Sequence, residues 1–272
     1  MNGMSSRLLV FDLDGTLLAS DRTIHTRNLA LLRAAMERGV LVSLATGRSP
    51  RSTAPYANAV RPNAPIVHFN GARTRRWDTG DVLADHRLPT RDAIAAIEVG
   101  ARLGLHVNLY VGDEIYIAAR TPESEASEYK DVAPHTEVGP LVPFLERLDT
   151  EPIKLLFVGP PELFPRFREE ARQAMMHPCT VVNSEPHYFE VLPPGVTKGA
   201  AVVDLAGIIG VPLEDVIAFG DGPNDVEMLE ACGLGVAMGN ARQDLIRVAD
   251  VVIGHHDTDA IARFLEATLD RP

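Results

Sequence analysis

The sequence predicts an α/β chain: a parallel-sheet core built from both ends, with an α+β domain inserted between them. Two observations carry this reading. Near both termini, strand-length apolar runs alternate with helix-length segments, the pattern of parallel strands covered on both faces. In the middle, hairpin patterns replace that alternation, as in an antiparallel sheet with helices on one face. A chain of 272 residues has room for one large or two modest domains.

Taken in order, Arg7 to Phe11 reads as a buried strand. Asn28 to Arg38 reads as a helix with Leu29, Leu32 and Met36 on one face and Gly39 as its stop. "VLVSLATGR" and "APIVHFNGA" are the next strands, separated by a helical or turn segment near Ser52 to Val60. The middle offers a helix at Arg91 to Leu103, a hairpin in "HVNLYVGDEIYIAA", a strand in "PIKLLFVG", a helix in "ELFPRFREEARQAM" and a hairpin in "TVVNSEPHYFEVL". The β/α alternation then returns: helix Lys198 to Ile209, strand "VIAFGDG", helix Asp225 to Ala231, strands "LGVAMGN" and "DVVIG", and a helix from Asp259 to Thr268. These readings place the core at residues 1–84 and 194–272 and the insert at 85–193.

Composition narrows the function classes. Hydrophobic residues at 46% and charged ones at 23% exclude a disordered or fibrous chain. A formal charge of -11 gives no basic footprint for nucleic acid or an anionic membrane, so an anionic substrate needs a local cationic pocket. No apolar segment approaches the roughly 20 residues that span a bilayer, and Asp12 and Asp14 interrupt the early run, so a cytoplasmic protein is expected. Cys179 and Cys232 alone make neither a disulfide framework nor a metal-binding spacing.

In open parallel sheets, ligands bind beyond the carboxyl ends of the strands. The residues there are Asp12 and Asp14 after the first strand, Thr46, Gly47 and Arg48 after the second, Asn70 and Gly71 after the third, and Asp221, Asn224 and Asp225 after a late one. Carboxylates gathered at strand ends repel one another unless a cation sits among them, and hard oxygen donors point to Mg²⁺. A carboxylate also serves as a nucleophile for phosphoryl transfer, with a second as acid/base. Thr46 offers a hydroxyl, Gly47 an unobstructed N–H, and Lys198 a point charge at a helix start. Each feature alone has a plainer account: Asp12 and Asp14 as turn residues before Gly15, Lys198 as a solvated lysine behind the cap Thr197, and Asp221 or Asp225 as a helix cap.

Together, "FDLDGTLL", "LATGRS", "TKG" and "GDGPNDVEML" fall in order on predicted strand and helix ends, and the sequence resembles the haloacid dehalogenase superfamily, in particular its Cof-like phosphatases with a class IIB cap. The resemblance implies a Rossmann-like core with an inserted cap and a Mg²⁺-dependent phosphatase acting on small phosphate monoesters, sugar phosphates foremost, through an aspartyl phosphate. Residue by residue, it implies Asp12 as nucleophile and metal ligand, and Asp14 as acid/base that also gives its carbonyl to the metal. Thr46, Gly47, Lys198 and Asn224 would hold the phosphoryl group, Asp221 would be the second metal carboxylate, and Asp225 would support the metal's waters and Lys198. Dehalogenases of the superfamily lack the second aspartate, and a class IIB cap follows "FNGA", where the long insert falls.

Asn70, Arg48, Ser184 and His187 are the candidates for substrate specificity, with Arg48 also read as a brace of the core. Arg73, Arg75 and Arg76 read as a solvated hairpin, and His255, His256 and Asp257 as a surface loop with no further metal ligand in view. The expected partner is a small phosphorylated metabolite, with neither nucleic acid nor membrane, for a monomer or weak homodimer. A phosphomutase uses the same aspartates. A receiver-like phospho-aspartate switch is disfavoured by Asp14 and by an insert of about a hundred residues, far beyond a single small domain. A non-catalytic phosphometabolite binder is disfavoured by the complete residue set.

Overall fold

The computed structural model of the chain describes residues 7–131 and 133–269; residues 1–6, 132 and 270–272 of the expected domain ranges lie outside the described residues. The first part of the chain carries β1 (Leu8–Phe11), α1 (Thr26–Glu37), β2 (Leu41–Leu44), α2 (Pro50–Val60), β3 (Ile66–His68), β4 (Arg73–Arg75) and β5 (Val82–Asp85). The middle carries α3 (Thr90–Arg102), β6 (His106–Val111), β7 (Glu114–Ile117), α4 (Pro122–Asp131), β8 (His135–Glu137), α5 (Leu141–Leu145), β9 (Lys154–Val158), α6 (Phe164–Ala174), β10 (Cys179–Glu185) and β11 (Tyr188–Pro194). Then follow α7 (Lys198–Ile209), β12 (Val216–Gly220), α8 (Val226–Ala231), β13 (Leu234–Ala237), α9 (Gln243–Val248), β14 (Val251–Val252) and α10 (Ala260–Leu269). Two compact units result: residues 7–47, 54–84 and 197–269, and residues 48–53 and 85–196.

The first unit is built on a wholly parallel sheet in the order β14-β13-β12-β1-β2. Its central strand shows why a continuous apolar run was needed. Leu9 and Phe11 face a core shared with α1, α2 and α10, while Leu8 and Val10 face one shared with α7, α8 and α9. Phe11 stacks on Phe219 of β12 with ring centroids 4.4 Å apart. The chain runs from β1 to β2 on one side and returns to β12 on the other, so a topological switch point lies between β1 and β12. Helix α7 starts with the Thr197 hydroxyl accepting the Ala200 N–H at 3.1 Å and stops at Gly210, in left-handed geometry. A smaller sheet, β3-β4-β5, completes the unit.

The second unit holds a six-stranded sheet ordered β10-β11-β9-β6-β7-β8. Two sequence expectations change here. The sheet is not wholly antiparallel, because β7 and β8 pair in parallel. Helix α4, which has no apolar stripe for sequence periodicity to reveal, supplies the crossover that parallel strands require. Nor are all the helices on one face. Val107 and Leu109 of β6 point into the core with α3, α5 and α6, whereas Asn108 points the other way and donates to Ser127 of α4 at 3.0 Å. Arg73 also departs from the solvated-hairpin reading: it is buried, with its guanidinium 5.9 Å from the Phe69 ring centre.

Among the described residues, no helix is long and apolar enough to cross a membrane. Burial pushes the thiols of Cys179 and Cys232 up to about 12, which disfavours the nucleophilic thiolate form.

In the second unit, Lys154 and Glu190 form an ion pair at 2.6 Å with each side chain 4% exposed. Removing one partner strands a desolvated charge. Lys154→Met is expected to cost about 3–5 kcal/mol in chemical denaturation. Joint replacement with Glu190→Leu is expected to recover most of that loss.

Candidate functional site

The carboxyl ends of β1 and β12 carry the candidate site. Asp12 continues the β1 ladder by donating its N–H to Phe219 O at 3.0 Å. Its side chain is thereby fixed at the sheet end with 8% exposure. The chain then folds back tightly: Leu17 N–H donates to Asp12 O at 3.2 Å and Leu18 N–H to Leu13 O at 2.9 Å. Gly15 is required inside this turn, because its φ of +80° is left-handed and a Cβ would collide with the Asp221 carboxyl group. Thr16 Oγ1 donates to Asp221 Oδ1 at 3.2 Å, tying the turn to the β12 end.

Lys198, the first residue of α7, is 1% exposed and is the cation of the cluster. Its Nζ donates to Asp12 Oδ1 at 2.5 Å and to Asp225 Oδ1 at 2.7 Å. The other oxygen of Asp225 accepts the backbone N–H groups of Asp221 at 3.1 Å and Gly222 at 3.0 Å. Asp225 therefore holds both Lys198 and the β12 loop. Gly220 must be glycine for the same reason: a Cβ there would meet the Asp225 side chain.

Beside this cluster, Thr46 continues β2 through its N–H to Val67 O at 2.9 Å, and its carbonyl accepts the Asn70 N–H at 3.0 Å. Phe69 and Asn70 are both left-handed, with φ of 53° and 54°, a conformation that costs energy in non-glycine residues. This places the buried Asn70 side chain where its Oδ1 accepts from Asn224 Nδ2 at 2.9 Å. A Cβ on Gly47 would press on the Asn70 amide at 3.0 Å, which keeps the backbone of Gly47 bare.

The first unit thus brings together Asp12, Asp14, Thr46, Gly47, Asn70, Lys198, Asp221, Asn224 and Asp225. Arg48, buried, precedes α2, and residues 48–53 group with the second unit. Ser184 lies at an irregularity in the pairing of β10 with β11. His187 sits in the turn beyond it, its Nδ1 3.2 Å from Gly159 O, lining a cleft of about 700 Å³ with Glu123, Glu162, Glu185 and Tyr188.

Asn240 was not singled out from the sequence. It follows β13, so the strand-end rule that found Asp12 would have found it. Its Nδ2 donates to Gly15 O at 2.8 Å and lies 3.4 Å from Asp221 Oδ2, and its Oδ1 accepts the His256 N–H at 3.1 Å.

Electrostatics shows what the cluster lacks. Burial, with the charges of Asp225, Asp221 and Asp14 added, holds the Asp12 carboxyl well above its ordinary range despite Lys198. Burial pushes Lys198 down, but Asp12 and Asp225 outweigh it and hold the ammonium protonated. Asp221 is pushed up to about 7, first by burial and then by the Asp225 charge. Carboxylate oxygens of Asp12, Asp221 and Asp225 lie within 4.8 Å of one another, and one lysine does not balance them. An all-oxygen, under-neutralised donor set fits a hard divalent cation such as Mg²⁺.

Residues 9–265 match the family described as haloacid dehalogenase-like hydrolase. The chain is 30% identical over 267 residues to a putative phosphatase of Haemophilus influenzae, covering 97% of this chain and 98% of the relative. It is 31% identical over 278 residues to an HMP-PP phosphatase of Citrobacter koseri, covering 98% and 97%. Among solved structures, it is similar to a haloacid dehalogenase-like hydrolase from Bacteroides thetaiotaomicron, with a TM-score of 0.86, 30% identity and coverage of 96% and 98%.

The raised carboxyls set a pH dependence. Where a carboxyl's folded pKa exceeds its unfolded value, the folded state holds the extra proton, so stability falls as pH rises through the window between them. For Asp221 that window runs from the ordinary carboxylate range up to about 7. Without divalent cations, thermal unfolding is expected at lower temperature at pH 8 than at pH 5.5. Asp221→Asn is expected to stabilise the protein at pH 8 by about 1–3 kcal/mol, a shift of a few degrees. Mg²⁺ is expected to raise the wild-type midpoint and to leave that of Asp221→Asn nearly unmoved.

Proposed function

The chain belongs to the haloacid dehalogenase-like hydrolase family and is one of its phosphatases, and on that premise we propose that it hydrolyses small phosphate monoesters, sugar phosphates foremost, through a phosphoryl group carried on Asp12. The observation that carries this reading is the buried Lys198 held between Asp12 and Asp225. It keeps one carboxylate of a crowded cluster oriented at a strand end, where an incoming phosphoryl group brings more negative charge.

In this mechanism, the Asp12 carboxylate attacks phosphorus and the ester oxygen departs with a proton from Asp14. Asp14 then takes a proton from the water that attacks phosphorus and releases Asp12. The Thr46 hydroxyl, the Gly47 N–H and Lys198 meet the equatorial oxygens, and positioning and charge neutralisation supply most of the acceleration. Asn224, joined to Asn70, steadies the phosphoryl group from the β12 side. Mg²⁺ would be held by Asp12, Asp221 and the Asp14 carbonyl, with Asp225 positioning its waters, and would supply charge neutralisation for the transferring group.

We assign residues 1–84 and 194–272 to the hydrolase core and 85–193 to a class IIB-type cap. Ser184 and His187 in the cap, and Arg48 and Asn70, are the residues that would choose among leaving groups. The partner is a small phosphorylated metabolite. The -11 charge argues against nucleic acid, and a cytoplasmic monomer or weak homodimer completes the proposal.

Phosphate release from a panel of phosphorylated metabolites that includes sugar phosphates and HMP-PP, with and without Mg²⁺, tests the reading. Asp12→Asn is expected to abolish turnover, and Asp14→Asn to lower kcat by about 10²–10⁴-fold. Turnover surviving in Asp12→Asn would refute the nucleophile assignment. Asn240→Ala is expected to lower kcat by about tenfold with little change in KM, as loss of positioning at a group that touches no substrate.

A further inference from the structure

The loop between β14 and α10 gathers His255, His256 and Asp257, whose ligand atoms all lie within 4.8 Å of one another. His255 Nδ1 is 3.4 Å from Asp257 Oδ2, and His256 Nε2 is 3.9 Å from Asp257 Oδ1. A tetrahedral Zn²⁺ with nitrogen and oxygen ligands at about 2.0–2.2 Å holds those ligands about 3.3–3.5 Å apart. The two histidine–aspartate pairs are therefore within about half an ångström of that spacing.

The sequence showed no reason for these side chains to be oriented, but the fold supplies one. His256 Nδ1 sits 2.6 Å from Leu18 O. A carbonyl only accepts, so Nδ1 carries the proton and the neutral ring's lone pair is on Nε2, which faces Asp257. A ring anchored through its second nitrogen to a backbone carbonyl is how proteins orient metal-ligating histidines. The anchor comes from the β1 loop, far away in sequence and outside the cluster. Ser20 Oγ lies 3.5 Å from the same Nε2 and donates to Asp257 Oδ2 at 2.9 Å, placing a fourth polar group at the site. His255 and Asp257 are 50% and 43% exposed, so an ion can arrive from solvent.

We propose that His255, His256 and Asp257 form a binding site for a borderline divalent transition ion, represented by Zn²⁺, separate from the all-oxygen carboxylate cluster. Two imidazoles and one carboxylate favour such an ion over Mg²⁺. The site is wired to the β1 loop. His256 touches Leu18 O directly, and its N–H reaches Asn240, which in turn holds Gly15 O and approaches Asp221.

The test is a calorimetric Zn²⁺ titration of the full chain in saturating Mg²⁺, for wild type, Asp221→Asn and His255→Ala. Co²⁺ is added in place of Zn²⁺ in a parallel series to read the visible band of a tetrahedral site. The expected result is one Zn²⁺ per chain, of the order of micromolar affinity, in wild type and Asp221→Asn alike. Binding is expected to weaken at least tenfold in His255→Ala, with Mg²⁺-supported basal turnover unchanged. Equal affinity in His255→Ala, no binding in wild type, or loss of binding in Asp221→Asn would each overturn the proposal. Because the readout is binding, failure of the phosphatase reading leaves this result untouched.

Discussion

The candidate site depends on one buried cation. Lys198 Nζ bridges Asp12 and Asp225, and Asp225 in turn holds the N–H groups of Asp221 and Gly222, so one ammonium fixes the ends of two strands and the start of a helix. Burial alone would drive that lysine to give up its proton, and it is the carboxylates that keep it charged. The same burial penalises the carboxylates, which stay above their ordinary range even beside the lysine. A cluster so constituted is incomplete without further positive charge, and that incompleteness is its chemistry. It disfavours the resting state and favours any arrival that brings a cation with the phosphoryl group.

The surrounding scaffold serves to keep this tension in place. Gly15 and Gly220 are bare because the carboxylates of Asp221 and Asp225 lie against their backbones. Phe69 and Asn70 accept unfavourable left-handed geometry so that the Asn70 amide can reach Asn224. Local cost of this kind is supported by a sheet whose strands are apolar on both faces and whose register is therefore strongly specified.

Most of this site was legible from residues because parallel strands must be uninterrupted apolar runs, so the first polar residues after each run announce the ligand face. Asp12, Thr46, Asn70 and Asp221 all follow that rule. Asn240 follows it too but lies in "GNA", which looks like an ordinary turn, and its importance comes from contacts with residues more than two hundred positions away. The second unit was less legible. Helix α4 is polar on every side, so periodicity is silent there, and the parallel β7–β8 pair hangs on that unseen crossover. The short elements β8, α5 and α9 have too few residues to show a period at all. Arg73 is buried although a run of arginines argues for solvent, because its long side chain lies against the Phe69 ring.

The pairing of β1 with β12 has a consequence for how the chain is made. Thr16 and Asp221 are hydrogen-bonded across 205 positions, and the central strand lacks one neighbour until β12 has been synthesised. At roughly 5–20 residues per second, the two strands emerge from a ribosome some ten to forty seconds apart. The residues between them include the contiguous stretch 85–196, which has its own sheet and core and can fold as it emerges. A folded insert shortens the effective loop that must close when β12 meets β1, lowering the entropy lost in that closure. In this view, the inserted unit is an intramolecular aid to biogenesis, holding the two halves of a parallel sheet within reach of each other until the last strands arrive.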